Sequence, residues 1–174
     1  MQKRIERIRG DLARSPEQKQ YGEKVPYMQA MLFKNKKEFN TIIDTTMNKP
    51  FCENIENEAL KNKNFRKVLY TSTNVQVVLM SLLPEEEIGL ETHDISDQFF
   101  RVESGEGKAV IDGEKFVLSD GVALVVPAGS KHNIMNTSKT EPLKFYTLYM
   151  PPHHKDGVIH KTKAEAERDK KDHL

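Results

Sequence analysis

Between Phe65 and Met150 the chain alternates short runs rich in Val, Leu and aromatic residues with turn signals, and no helical period separates them. Val68–Tyr70, Val75–Leu83, Phe99–Glu103, Lys108–Asp112, Lys115–Leu118, Val122–Val126, His132–Asn136 and Leu143–Met150 make about eight runs at roughly ten-residue spacing. Parallel strands need crossovers of about a dozen residues or more, usually helical, and no helical pattern lies between these runs. The pattern therefore predicts an all-β antiparallel sandwich or barrel over 65–152. Asp112-Gly113, lying between two of the runs, predicts a tight two-residue hairpin.

The flanks have a different character. Residues 1–64 are polar and rich in Lys and Asn, and predict an N-terminal helical arm. Ile5, Ile8 and Leu12 share one helical face, as do Phe39, Ile42 and Ile43 within a second stretch from Lys36 to Met47. Asn48-Lys49-Pro50 ends that stretch, and a weaker helix is expected over 54–61. Residues 153–174 form a C-terminal tail whose charged, Ala-containing part, from Lys161, predicts a short solvated helix. Sheet edges must be covered or paired, and Val25, Tyr27, Met28, Met31, Leu32 and Phe33 supply apolar surface for that purpose. A homodimer is expected on this ground.

Charge and cysteine content narrow the chemistry. Lys and Arg number 27 against 26 Asp and Glu, a formal net charge of +1. That balance speaks against nucleic acid as a partner. The single cysteine, Cys52, excludes an intrachain disulfide and a Cys-based zinc site, and a structural role is expected for it. No apolar run approaches the ~18 residues of a membrane span. The basic start MQKRIERIRG has no apolar stretch behind it, as a secretory signal would. A cytoplasmic protein with no membrane partner is expected.

Two segments carry the chemistry. In GVALVVPAGSKHNIMN, residues 121–136, Pro127 and Gly129 build a sharp bend, and His132 and Asn136 then share one face of a strand. In GLETHDISDQFFRVESGEG, residues 89–107, Glu91 and His93 share a face of an extended segment, with Gln98 and Gly105 following. Together these stretches resemble the two motifs of the cupin superfamily. The second motif matches at Gly121, Pro127, Gly129, His132 and Asn136, and the first matches in spacing. The likeness covers about residues 66–152.

The resemblance implies a double-stranded β-helix, the jelly-roll barrel of the cupins, between the helical extension and a short C-terminal helix. It also implies four metal ligands: Glu91, His93, Gln98 and His132. The family's first motif usually supplies His, His and Glu, where this chain has Glu91, His93 and Gln98. The carboxylate count is unchanged, so a divalent cation keeps the same charge balance. Nitrogen with carboxylate suits Mn, Fe, Ni or Zn. The Gln98 amide either coordinates weakly or leaves the metal to bind substrate. Asp94 and Asp97 are competing carboxylates in the same loop. A register one residue off would pair Thr92 with Asp94 and discard His93.

The family likeness points to a metal-dependent enzyme acting on a small polar molecule: a sugar, a sugar phosphate or a carboxylic acid. Isomerase, lyase and dioxygenase chemistry all fit, with Glu91 as the catalytic proton carrier. The other reading is a non-catalytic module that binds a small ligand or metal. His153, His154 and His160 are expected to be exposed or at a domain edge. Phe100, Val102 and Ile134 share parity with Gln98 and His132 and should pack the interior. Of Tyr146 and Tyr149, parity lets one face inward.

Overall fold

The computed structural model of the chain describes residues 50–172. The helices expected over 5–12 and 36–47, and the apolar segment Val25–Phe33, lie outside them. The described residues fall within one compact unit, Met47–Leu174.

Each of the eight expected runs is a strand: β1 (Arg66–Thr71), β2 (Gln76–Leu82), β3 (Asp97–Ser104), β4 (Gly107–Ile111), β5 (Glu114–Leu118), β6 (Ala123–Val126), β7 (His132–Asn136) and β8 (Leu143–Met150). A two-residue β9 (Ile159–His160) was not expected. They form a six-stranded sheet in the order β6-β3-β8-β2-β1-β9 and a three-stranded sheet in the order β5-β4-β7. Every paired strand is antiparallel. This is a jelly roll, the fold that the motif resemblance implied.

Alternation of side chains explains the layers. On β3, Gln98, Phe100 and Val102 are buried in turn, and on β7 so are His132, Ile134 and Asn136. Every residue of β2 is buried. It lies between β8 and β1, with Met80 opposite Phe145. Phe100, Phe145, Leu82 and Leu143 join Ile134 and Ala109 of the smaller sheet in one core. Burying a side chain the size of Phe145 is worth about 2–3 kcal/mol.

Two tight places set the register. Asp112 and Gly113 both have positive φ, 48° and 91°, as a type I′ hairpin turn requires. Gly105 also has positive φ, and a Cβ there would stand 2.5 Å from the Pro142 carbonyl oxygen. Only glycine lets β3 bend against the start of β8.

Two short helices flank the sheets. The first, α1 (Ile55–Lys61), is capped by the Asn54 side chain, which accepts from the Asn57 amide at 3.0 Å. It packs Ala59 against the larger sheet, and the Lys144 ammonium donates to the Leu60 and Asn62 carbonyls at its C-terminal end. The second, α2 (Lys163–Arg168), is the short helix expected of this sequence; it is capped by Thr162, has no fully buried residue and packs only Ala166 against the core. No helix among the described residues is long and apolar enough to cross a membrane.

Two expectations need correction. Cys52 is exposed and plays no part in packing. His154 and His160 are buried rather than exposed, and His153 is half-buried. The cause is Arg66, a buried cation on β1, which draws in the tail. Its Nη1 lies 3.0 Å from Oδ2 of Asp172, a fully buried carboxylate. An unpaired buried charge is costly, so the two must meet. β9 pairs along β1, with His160 opposite Arg66, and brings both histidines under cover.

Candidate metal centre

The site is assembled by backbone pairing at the mouth of the smaller sheet. Glu91 and His132 exchange both backbone hydrogen bonds, each at 2.9 Å, so they stand directly opposite. The turn before β7 is held by the Gly129 amide on the His93 carbonyl at 2.9 Å. The Ala128 amide donates to the Asp97 carboxylate at 2.9 Å, which occupies Asp97 with the loop instead of the site. Asp94 and Thr92 are exposed, as the chosen register requires. Gln98 enters from β3, opposite Val126 of β6 and Tyr149 of β8.

Glu91, His93 and His132 form a candidate metal-binding group, their donor atoms all within 4.8 Å of one another. Glu91 Oε1 lies 3.4 Å from His93 Nε2 and 3.6 Å from His132 Nε2. Gln98 Oε1 lies 3.0 Å from His132 Nε2. Ligands bonded at 2.0–2.2 Å to one ion stand about 2.8–3.1 Å apart at octahedral angles and about 3.3–3.6 Å at tetrahedral ones. The Glu91 to histidine distances and the Gln98 to His132 distance fall within these spans.

Hydrogen bonding agrees with the distances. His132 Nδ1 donates to the Ser130 carbonyl at 3.0 Å, which leaves a lone pair on Nε2. That lone pair faces Glu91 Oε1 and Gln98 Oε1, which are also acceptors. Neither Glu91 Oε1 nor either ring nitrogen of His93 has a hydrogen bond of ordinary geometry among the described residues. Acceptors that converge in this way need a proton or a cation between them. Burial favours an uncharged Glu91, but the imidazoles of His132 and His93 outweigh it and hold the carboxyl well below the usual carboxylate range. Burial likewise opposes a charged His132, but the Glu91 carboxylate and the Ser130 carbonyl win, and its pKa is raised.

Sequence reasoning missed the wall behind the ligands. The His93 ring packs edge-on against His153, centroids 4.2 Å apart, and against Tyr149 at 5.3 Å. Tyr149 is the inward member of its pair: it is buried and Tyr146 only half so. His153 lies against Tyr149 at 5.4 Å. His154 Nε2 is 3.3 Å from the Tyr149 hydroxyl. Strand parity allowed one of Tyr146 and Tyr149 to face inward without saying which, whereas His153 and His154 follow a proline pair and carry no period to read. Asn136, on the ligand face of β7, is structural: its amide donates to the carbonyls of Leu82, Leu83 and Glu141.

Comparison with known proteins agrees with the fold. The cupin domain family matches residues 78–149. The uncharacterized protein YrkC of Bacillus subtilis (strain 168) is 46% identical over 124 residues, which cover 68% of this chain and 66% of YrkC, just under two thirds of its length. An uncharacterized protein of Acanthamoeba polyphaga mimivirus is 42% identical over 118 residues, 66% of this chain and 74% of that one. The crystal structure of BH2720 from Bacillus halodurans superposes with a TM-score of 0.67 at 41% identity, covering 71% of this chain and 98% of that one. TT1209 from Thermus thermophilus shares the fold, with a TM-score of 0.52 at 24% identity over 57% of this chain and 96% of its own.

Proposed function

This chain belongs to the cupin superfamily, and on that premise we propose that Glu91, His93, Gln98 and His132 bind a divalent metal ion with which the protein acts on a small polar molecule. One observation carries the metal reading: a carboxylate oxygen of Glu91 and ring nitrogens of His93 and His132 lie within 4.8 Å of one another, and neither Glu91 Oε1 nor His93 has a hydrogen bond of ordinary geometry among the described residues. Leaving such buried groups unsatisfied costs about 1–3 kcal/mol each, and more for a charge. A cation relieves all of them at once. Two imidazoles with one carboxylate and one amide suit Mn, Fe, Ni or Zn.

A metal ion so held supplies Lewis acidity to a bound hydroxyl, carbonyl or carboxylate oxygen. Sugars, sugar phosphates and carboxylic acids present such oxygens; isomerase or lyase chemistry follows from polarising them, whereas dioxygenase chemistry would need a redox-active ion such as iron and dioxygen as co-substrate. Within the chain, Glu91 serves first as the anionic ligand. A carboxyl held below its usual range by two histidines is ionised and a weak base.

That same weakness favours a second reading, a non-catalytic module that binds metal and small ligand without turnover. Metal-loaded and chelator-treated protein, assayed side by side on a panel of sugars, sugar phosphates and small carboxylic acids, separates the two. Turnover that requires the metal and is lost in His132→Ala supports the enzyme. Saturable binding by the metal-loaded form without turnover supports the module. A ligand or substrate handled equally well after chelation contradicts both.

A further inference from the structure

A histidine that meets a metal ion through one ring nitrogen stays free to turn about its last side-chain torsion unless the other nitrogen is bonded or the ring is packed. His132 has the first restraint, the hydrogen bond from Nδ1 to the Ser130 carbonyl at 3.0 Å. His93 lacks it: the residue is buried, and neither ring nitrogen has a hydrogen bond of ordinary geometry among the described residues. We propose, building on the metal reading above, that His153, set in place by Gln76, is the positioning residue that orients the His93 ring for the ion. Gln76 and His153 both lie outside residues 78–149, which the cupin family matches.

The contact is made ring to ring. The His153 and Tyr149 rings lie nearly parallel, at 23° with centroids 5.4 Å apart. His93 stands across both, at 61° and 4.2 Å from His153 and at 82° and 5.3 Å from Tyr149. His153 is the nearer of the two. Centroids 4.2 Å apart put the two imidazoles in van der Waals contact, so the His93 ring cannot turn without displacing His153. Held there, His93 keeps Nε2 3.4 Å from Glu91 Oε1.

His153 can act as a stop because its own backbone is fixed. Gln76, at the start of β2, is fully buried. Its Oε1 accepts from the His153 amide at 3.3 Å and from the His154 amide at 3.0 Å. Its Nε2 donates to the His154 carbonyl at 2.7 Å and to Thr71 Oγ1 at 3.0 Å. Backbone amides only donate and a carbonyl only accepts, so the end of the Gln76 carboxamide that faces each of them is settled. Gln76 also lies opposite Tyr149 in the β2–β8 pairing, so both rings that hold His93 are fixed from one point of the larger sheet. From the other side, the Ser96 hydroxyl donates to the Pro151 carbonyl at 2.9 Å and ties this segment to the loop that follows His93.

Cobalt(II) titration of the full chain, followed by the visible spectrum and by competition for Kd, tests the assignment. His153→Ala should weaken cobalt binding about tenfold or more, as loss of an outer partner of a metal ligand does, and alter the spectrum at saturation. His153→Phe restores a ring without nitrogen and should return Kd to within about threefold of wild type. Gln76→Ala should weaken binding as His153→Ala does, and the double variant should lose no more than the worse of the two, because both act on one ring. Gln76→Ala removes a buried clamp, so thermal unfolding is measured in parallel, and the two His153 variants carry the test if it does not fold. Wild-type affinity and spectrum in His153→Ala overturn the proposal. So does a loss in His153→Phe equal to that in His153→Ala, since His153 would then act through its nitrogens and not by packing. Losses that add in the double variant overturn the part assigned to Gln76. Wild-type protein that binds no cobalt overturns the metal reading itself, and this inference with it.

Discussion

At the scale of single residues, the site depends on atoms that have nothing else to do. His93→Ala and His132→Ala each remove a nitrogen from the candidate shell, and metal occupancy should fall steeply. Gln98→Ala removes a neutral oxygen and should weaken binding less. If Gln98→Ala abolishes binding while His93→Ala spares it, the ligand set is misassigned. Gly105 gives a stability test of the same kind. Its positive φ and the 2.5 Å approach to Pro142 make Gly105→Ala costly, on the order of 2–3 kcal/mol, read as a drop in the urea midpoint at unchanged slope. Glu91, His93, Gln98 and His132 stood out because they fall at the ligand places of the motifs that the chain resembles, and Gly105 because it falls at the glycine of the first one. Tyr149 was half legible, by parity alone. His153 and His154 were not, since what places them is a carboxylate and a glutamine far away in sequence.

At the scale of elements, strands with side chains that alternate could be read, and those without could not. β3, β7 and β8 each keep one face buried over several residues, which is a pattern. β9 has two residues, too few for any period, so the tail was read as a solvated appendage. It is instead fastened by Arg66, His154 and Asp172. Burial alone would raise the Asp172 carboxyl, but His154 and Arg66 beside it push it down from 3.8 to about 2. A lowered folded-state pKa stabilises the fold above the unfolded value and stops doing so as pH falls through the folded one. Asp172 should therefore contribute about 2 kcal/mol near neutrality, lost between about pH 4 and pH 2. Denaturant titrations across that range check this, with Asp172→Asn expected to flatten the decline. An equally steep decline in the variant would show that other carboxylates govern it.

At the scale of the whole molecule, the two sheets leave apolar residues on their outer strands. Val117 on β5 is 83% exposed and Val125 on β6 is 58% exposed. Edges of this kind are normally paired or covered, so the protein is expected to be a homodimer. A strictly monomeric mass by light scattering at tens of micromolar would contradict that. The metal ligands all lie between Glu91 and His132 on strands and loops of the two sheets. Deleting residues 1–20 should accordingly leave metal stoichiometry unchanged and cost only about 1–2 kcal/mol of stability. Loss of folding or of metal on that deletion would place the segment within the core. The overall architecture was legible from turn spacing and the absence of intervening helices, because those features leave an antiparallel double sheet as the simplest fold. The joining of the tail to the site was not, because it is made by side chains brought together only when both sheets have formed.

The central claim is that Glu91, His93 and His132 converge to hold one divalent ion. Equilibrium dialysis of the full chain against manganese, iron(II), nickel and zinc, followed by elemental analysis, measures this most directly. One equivalent of metal per chain is predicted for at least one of these ions, with occupancy falling severalfold or more in both His93→Ala and His132→Ala at the same free-metal concentration. Folded wild-type protein that takes up none of the four, or full occupancy in both histidine variants, would contradict it.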